Sequence, residues 1–501
     1  MAAKVRLLML IAMKTLEITS STEEEELADH DIMTAVERLF ATKKGVTAHL
    51  IDVAATQGIV MLSGYSDNLL ARERAEEIAK AVRGVRGVIN QIGVRAIDLP
   101  DATLRRDVEE ALLQDAVACE YTIGCTARDG EVLLLGEVPS WSEKQLILRV
   151  AKSVRGVRGV ADHLVVCHVE REPPGSKSEA ELVAAIQEMI DWDIRIDGAQ
   201  VQVTAQPNGG AVLSGVVGSA AARGQTIAAA WRAGAGRVLA DELLVVPGAL
   251  SHELRGDKYR PRSDEDILKA IRDCFRYDPR VRAGTPEVEV RDGRVLLRGT
   301  VSNLKAQRTA EQDALGVVGV WLVDNYLRVR PRHNVADHDI QRHMLAALLR
   351  DPYLQRYAME VVVHNGKASL YGTVDSQFDK LQAEDVAAGV NGVIAVENRL
   401  VVPTWYATTG GDYFACYVSH AEPAAGKMPG SDALTRTIQQ LLYWSPALSG
   451  QDIEVQVANG RATLTGTVHT PQDRQHAALF AFEGGAHAVD NQLRVRYGPQ
   501  D

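Results

Sequence analysis

Val290-Arg-Asp-Gly-Arg-Val-Leu-Leu-Arg-Gly-Thr-Val301 reads as two short strands joined at Asp292-Gly293, and the pattern occurs six times in a chain of 501 residues. Its plainest other copies are Val363-His-Asn-Gly-Lys-Ala-Ser-Leu-Tyr-Gly-Thr-Val374 and Val457-Ala-Asn-Gly-Arg-Ala-Thr-Leu-Thr-Gly-Thr-Val468; the remaining three are centred on Gly58, Gly130 and Gly209. In every copy a second glycine follows six residues on (Gly64, Gly136, Gly215, Gly299, Gly372, Gly466), with leucine two before it (Leu62, Leu134, Leu213, Leu297, Leu370, Leu464). Asn or Asp precedes the first glycine in five copies and Gln57 in the other. Asn-Gly and Asp-Gly between alternating apolar residues favour a tight hairpin, because its type I′ turn needs positive φ. The leucine is expected on the buried face, and the second glycine at a bend or a close approach of backbones.

Working outward, each hairpin is preceded by apolar residues at i, i+4 and i+8, such as Ile267, Ile271, Phe275 and Leu434, Ile438, Leu442, which make one buried helical stripe. Ser178 with Glu181 and Ser263 with Asp266 look like caps of these helices. A second helix follows each hairpin, with Asp67, Ser140, Ser219, Asn303, Ser376 and Thr470 where an N-cap is wanted. A Gly-Val turn and a third strand close the unit. The order helix, strand, strand, helix, strand therefore recurs in units of roughly 67 to 70 residues, and such internal repetition outweighs the domain count suggested by length alone. Boundaries fall at 30–96, 101–170, 178–247, 263–330, 337–403 and 431–497, with an apolar and acidic extension at 1–29 and an aromatic insert at 404–430.

This αββαβ unit, with its Leu-x-Gly-x-Val hairpin and a closing Asn-x-Leu-x-Val strand such as Asn325-Tyr-Leu-Arg-Val329, resembles the BON domain of bacterial envelope and osmotic-stress proteins. Units four to six follow the pattern closely. Units one and two keep the Gly-Val turn but are read as losing the Asn-x-Leu ending, and unit three has Arg232-Ala-Gly-Ala-Gly-Arg237 in place of the turn. The resemblance implies an α+β fold, a tandem array of three-stranded sheets each carrying two helices on one face. It also implies a binding module without catalysis, associated in several members with phospholipid membranes.

Composition agrees with a non-catalytic array. A formal charge of -11 disfavours nucleic acid, whose phosphates reward clustered cations. Five cysteines share no repeating position, so neither a disulfide framework nor a zinc spacing emerges. Gly218 to Thr226 lacks a phosphate-loop lysine, and His333, His338 and His343 are five apart, which does not stack them on a helix face. No catalytic residue, cofactor, metal or small-molecule substrate is assigned.

One basic cluster stands out. Arg83, Arg86, Arg155 and Arg158 occupy equivalent Gly-Val turns of units one and two, next to Lys152, and are the candidates for anionic phospholipid head groups; a solvated basic face is the alternative. Open sheet edges and the aromatic insert point instead to a homo-oligomer or filament scaffold. The apolar run Leu7 to Met13 follows Lys4 and Arg6 but is interrupted by Lys14 and lacks a small-residue cleavage site, so the chain is expected in the cytoplasm, free or associated with a membrane; the alternative is export to the periplasm or cell surface.

Overall fold

The computed structural model describes residues 27–167, 178–196, 200–247, 262–282, 284–332, 334–402 and 430–496. The N-terminal extension up to residue 26 and the insert at 403–429 lie outside them. Six αββαβ units follow one another. The first helices (Asp29–Thr42, Asp101–Gln114, Glu179–Trp192, Asp264–Tyr277, Asp337–Arg350, Ser431–Trp444) are each 14 residues long. The second helices run Leu69–Lys80, Trp141–Lys152, Ala220–Arg232, Leu304–Leu315, Gln377–Gly389 and Pro471–Glu483.

In every sheet the second hairpin strand is central, antiparallel to the first and parallel to the third. Centrality explains the leucines. All six have no exposed surface, and burying one such side chain stabilises by roughly 1.5–3 kcal/mol. In five copies the hairpin turn has positive φ at Gln57, Asp129, Asp292, Asn365 and Asn459, each followed by a positive-φ glycine, as a type I′ turn requires. The second glycine meets both expectations: at Gly466 φ is +116° and an added Cβ would lie 2.0 Å from the Asp452 carbonyl oxygen.

Most caps stand where expected. Ser140, Ser219, Asn303, Ser376 and Thr470 each accept a backbone N–H of the second helix, and Ser178 and Glu181 form a capping box. In unit one the cap is Asn68, one residue beyond Asp67, because its side chain reaches the Ala71 N–H at 2.8 Å. The Asn-x-Leu ending also needs correcting. Unit one retains it as Asn90-Gln91-Ile92, where Asn90 donates to the Arg72 carbonyl and accepts from the Ile92 N–H, the same bonds that Asn325 makes to Gln307 and Leu327. Unit two substitutes Asp162, which accepts the Leu164 N–H at 3.0 Å and pairs with Lys144 at 2.8 Å.

The units pair in a nested order: one with six, two with five, three with four. Each pair joins the end of a first helix to the turn after the partner's second helix. Asp115 bridges Val390, Ala116 N–H donates to the Gly389 carbonyl, and in return Arg155 N–H donates to the Arg350 carbonyl at 2.7 Å. Asp193 bridges Val317 in the same way, and Arg83 N–H donates to the Trp444 carbonyl at 2.9 Å. Side-chain packing links neighbours as well. Leu69 of unit one sits in the core of unit two, Ala220 of unit three in that of unit one, and Leu304 of unit four in that of unit five. Trp141 stacks on Trp231 between units two and three, with ring centroids 6.4 Å apart. These contacts are made by helices and turns, whereas the outer sheet faces carry exposed apolar side chains such as Ile59, Met61, Ile89, Val165 and Tyr326.

Candidate functional site

The basic turns occupy the pair contacts. Arg83 places its guanidinium over the Tyr443 ring, 5.2 Å from the centroid. Arg155 is half-buried, reaches Gln355 at 3.5 Å and has a buried Nε without a hydrogen-bond partner among the described residues. Lys152 pairs with Glu73 of unit one at 2.5 Å. Arg158 reaches Asp98 at 3.3 Å and the Asp129 carbonyl at 3.4 Å, and Arg86 is exposed. The five residues are thus divided between the two pairs, and Arg86 and Arg158 are those directed away from an inter-unit contact.

The structure gathers a second set of cations that repeat spacing does not single out. On the outer sheet face of unit four, Arg291, Arg294, Arg298, Arg328 and Arg330 surround a shallow basin of about 950 Å³ with Glu289, Asp324 and Tyr326. Strand alternation sends Val288, Val295 and Leu297 inward to the core, so the intervening residues face out. Arg294 pairs with Asp324 at 2.5 Å and Arg298 with Glu289 at 3.5 Å; Arg328 and Arg330 have no carboxylate partner among the described residues. Five arginines against two carboxylates make this face cationic on a chain whose net charge is -11. The signal was present in the alternation of Arg291, Arg294, Arg298 and Arg328, Arg330, which becomes a patch only once three strands are laid side by side. Tyr326 is 65% exposed at its rim.

A third set secures the turns. The carboxylate of Asp29 accepts the N–H groups of Gln57 (2.7 Å) and Gly58 (2.8 Å), Asp264 those of Asp292 and Gly293, and Asp337 those of Asn365 and Gly366. These bonds hold the carboxyls of Asp29 and Asp337 below the usual range.

Comparison with known proteins agrees with this unit. The profile of the BON domain matches residues 28–96, 100–168, 178–247, 263–331, 336–404 and 431–497. The chain belongs to the BON domain family. Among similar curated proteins are the osmotically-inducible protein Y of Escherichia coli, 29% identical over 121 residues (23% of this chain, 60% of that protein), and the outer membrane lipoprotein DolP of Haemophilus influenzae, 30% identical over 135 residues (26% and 69%). The aligned region spans about three fifths of the first relative. Among solved structures, the C-terminal domain of CdsD, a structural protein of the type III secretion system of Chlamydia trachomatis, aligns over 47% of this chain and 99% of that one at 15% identity, with a TM-score of 0.12.

Proposed function

We propose that this BON protein is a non-enzymatic binding protein that associates with anionic phospholipid at the cell envelope. The observation that carries the reading is the cationic sheet face of unit four, where Arg328 and Arg330 have no carboxylate partner among the described residues and stand beside exposed Tyr326, a side chain suited to the boundary between lipid and water. Each cation near an anionic membrane contributes about 1 kcal/mol. Arg86 and Arg158, with Arg83, Arg155 and Lys152 behind them, form a second contact in this proposal. One relative is named an outer membrane lipoprotein, which favours the envelope; a cytoplasmic location draws no support from the comparisons. Among the described residues no helix is long and apolar enough to cross the bilayer; the attachment proposed here is to the surface.

Flotation with vesicles containing anionic lipid tests this. Binding is expected to weaken with salt and to be lost when Arg294, Arg298, Arg328 and Arg330 are replaced by Gln. Equal recovery of the quadruple variant with the vesicles removes the unit-four surface from the proposal, and absence of wild-type binding removes the membrane reading. The unpaired outer edges of six short sheets favour a second reading, addition of chains edge to edge. Light scattering separates the two: a mass independent of concentration eliminates self-assembly.

A further inference from the structure

A second cavity, of about 580 Å³, lies among the helices, lined chiefly by units two to five. Three of its six cations are already matched. Arg195 grips Asp193 with two nitrogens at 2.8 and 2.6 Å, Arg280 grips Asp278 at 3.0 and 2.6 Å, and Arg350 bonds Glu110 at 3.0 Å and also Gln114. Three are not. Arg232 holds Asp193 through one terminal nitrogen at 3.2 Å, while its Nε is buried with no hydrogen-bond partner among the described residues. Lys305 stops 4.0 Å from Asp385, beyond hydrogen-bond distance, and Arg149 makes no side-chain hydrogen bond or ion pair among the described residues. The buried Arg232 Nε is costly to leave unmatched, whereas Lys305 is half-buried and Arg149 exposed; all three border a space of the size that small-molecule sites occupy, roughly 300–1,000 Å³.

Asp115, Asp278, Asp313, Asp351 and Asp385 share the wall; Asp351 accepts from Gln382 and from the Tyr353 and Leu354 N–H groups, and burial pushes its carboxyl up to about 6. Asp313 Oδ2 is buried and also has no hydrogen-bond partner among the described residues. Burial and the neighbouring Asp278 push its carboxyl up to about 7, against the pull of Arg280, Arg195 and Arg232. Asp193 and the half-buried Cys274 thiol belong to the same cluster; desolvation pushes the thiol up to about 12, so it stays neutral. Near neutral pH Asp313 therefore passes between acceptor and donor, and when protonated it adds an O–H to the unfilled donors of Arg149, Arg232 and Lys305.

We propose that this cavity binds a small organic anion carrying two or more carboxylate or phosphate groups, held by Arg149, Arg232 and Lys305. Access is past Asp385, whose side chain is 64% exposed. An anion seated beside Asp313 favours its protonated form, so binding takes up a proton and tightens as pH falls through the value of the free protein.

Titration calorimetry of the full chain with citrate, against chloride at matched ionic strength, tests the site. Saturable binding is expected, several-fold tighter at about pH 6 than at about pH 8. Arg149→Gln and Lys305→Gln should each weaken it by about tenfold, the loss of one charge-assisted contact, with the unfolding midpoint unchanged. Asp313→Asn should retain binding and flatten its pH dependence near pH 7, leaving the lower step that belongs to Asp351. Heat no greater than with chloride, or undiminished affinity in the Arg149→Gln/Lys305→Gln double variant, overturns the proposal. Vesicle flotation of that double variant should match wild type, so the cavity and the membrane surface fail or stand separately.

Discussion

The second hairpin glycine shows how tightly a single residue can be specified. At Gly466 and Gly215 the backbone has positive φ, and an added Cβ would lie 2.0 and 2.1 Å from a carbonyl oxygen of the neighbouring strand. Gly466→Ala is expected to cost at least about 2 kcal/mol, since backbone strain of 1–3 kcal/mol adds to the clash; the urea midpoint measures it, and an unchanged midpoint contradicts the argument. The aspartates that hold the turns behave differently. Asp29 and Asp337 have folded-state pKa values below their unfolded ones, so their contribution is complete above the unfolded value and lost as pH falls through the folded value. Acid unfolding of Asp337→Asn should accordingly begin from a lower stability at neutral pH and be less steep below about pH 4 than in wild type. These aspartates were legible in principle. Asp29, Asp101, Asp264 and Asp337 each stand 29 residues before a hairpin glycine, but a constant spacing acquires meaning only when helix start and turn are brought together.

At the scale of the element, the hairpins, helical stripes and most caps could be read directly because their causes are local: turn chemistry, side-chain period and a hydroxyl three residues from an N–H. The Asn-x-Leu ending was misread in units one and two because Ile92 and Asp162 preserve the role while changing the letters. Asn398 donates to the Lys380 carbonyl at 2.8 Å and to Glu384 at 3.1 Å, fastening the third strand to the second helix. Asn398→Ala leaves that carbonyl without its partner and should destabilise by about 1–3 kcal/mol. Asn398→Asp, which keeps the acceptor for Leu400 N–H but loses the donor, should recover only part of the loss in the same denaturation experiment.

At the scale of the whole molecule, the unit pairing was beyond the sequence because its partners are separated by about one hundred to four hundred residues and share no motif. Arg350 shows what the pairing demands. Its side chain is only 7% exposed and its bonds run to Glu110 and Gln114 of unit two. All three pairs join a unit before residue 248 to one after residue 261. Fragments 1–247 and 262–501, expressed separately and mixed, should therefore form a 1:1 complex by sedimentation, and Arg350→Ala should weaken it; fragments that sediment independently would refute the nested arrangement.

That arrangement constrains how the chain matures. Units three and four are adjacent in sequence and can meet as soon as both have been synthesised, whereas the bond between Arg38 and Gln440 closes a loop of 402 residues. Joining distant segments costs conformational entropy that grows with the logarithm of their separation, and once the central pair has formed the effective separation of the next falls. Assembly on this reasoning runs like a zip from the middle outward, and unit one, made before the other five, is the last of the six to find its neighbour. For most of synthesis its helix end, with Leu39 and Phe40 packed beside Leu441 and Trp444 in the finished protein, has to remain soluble without them.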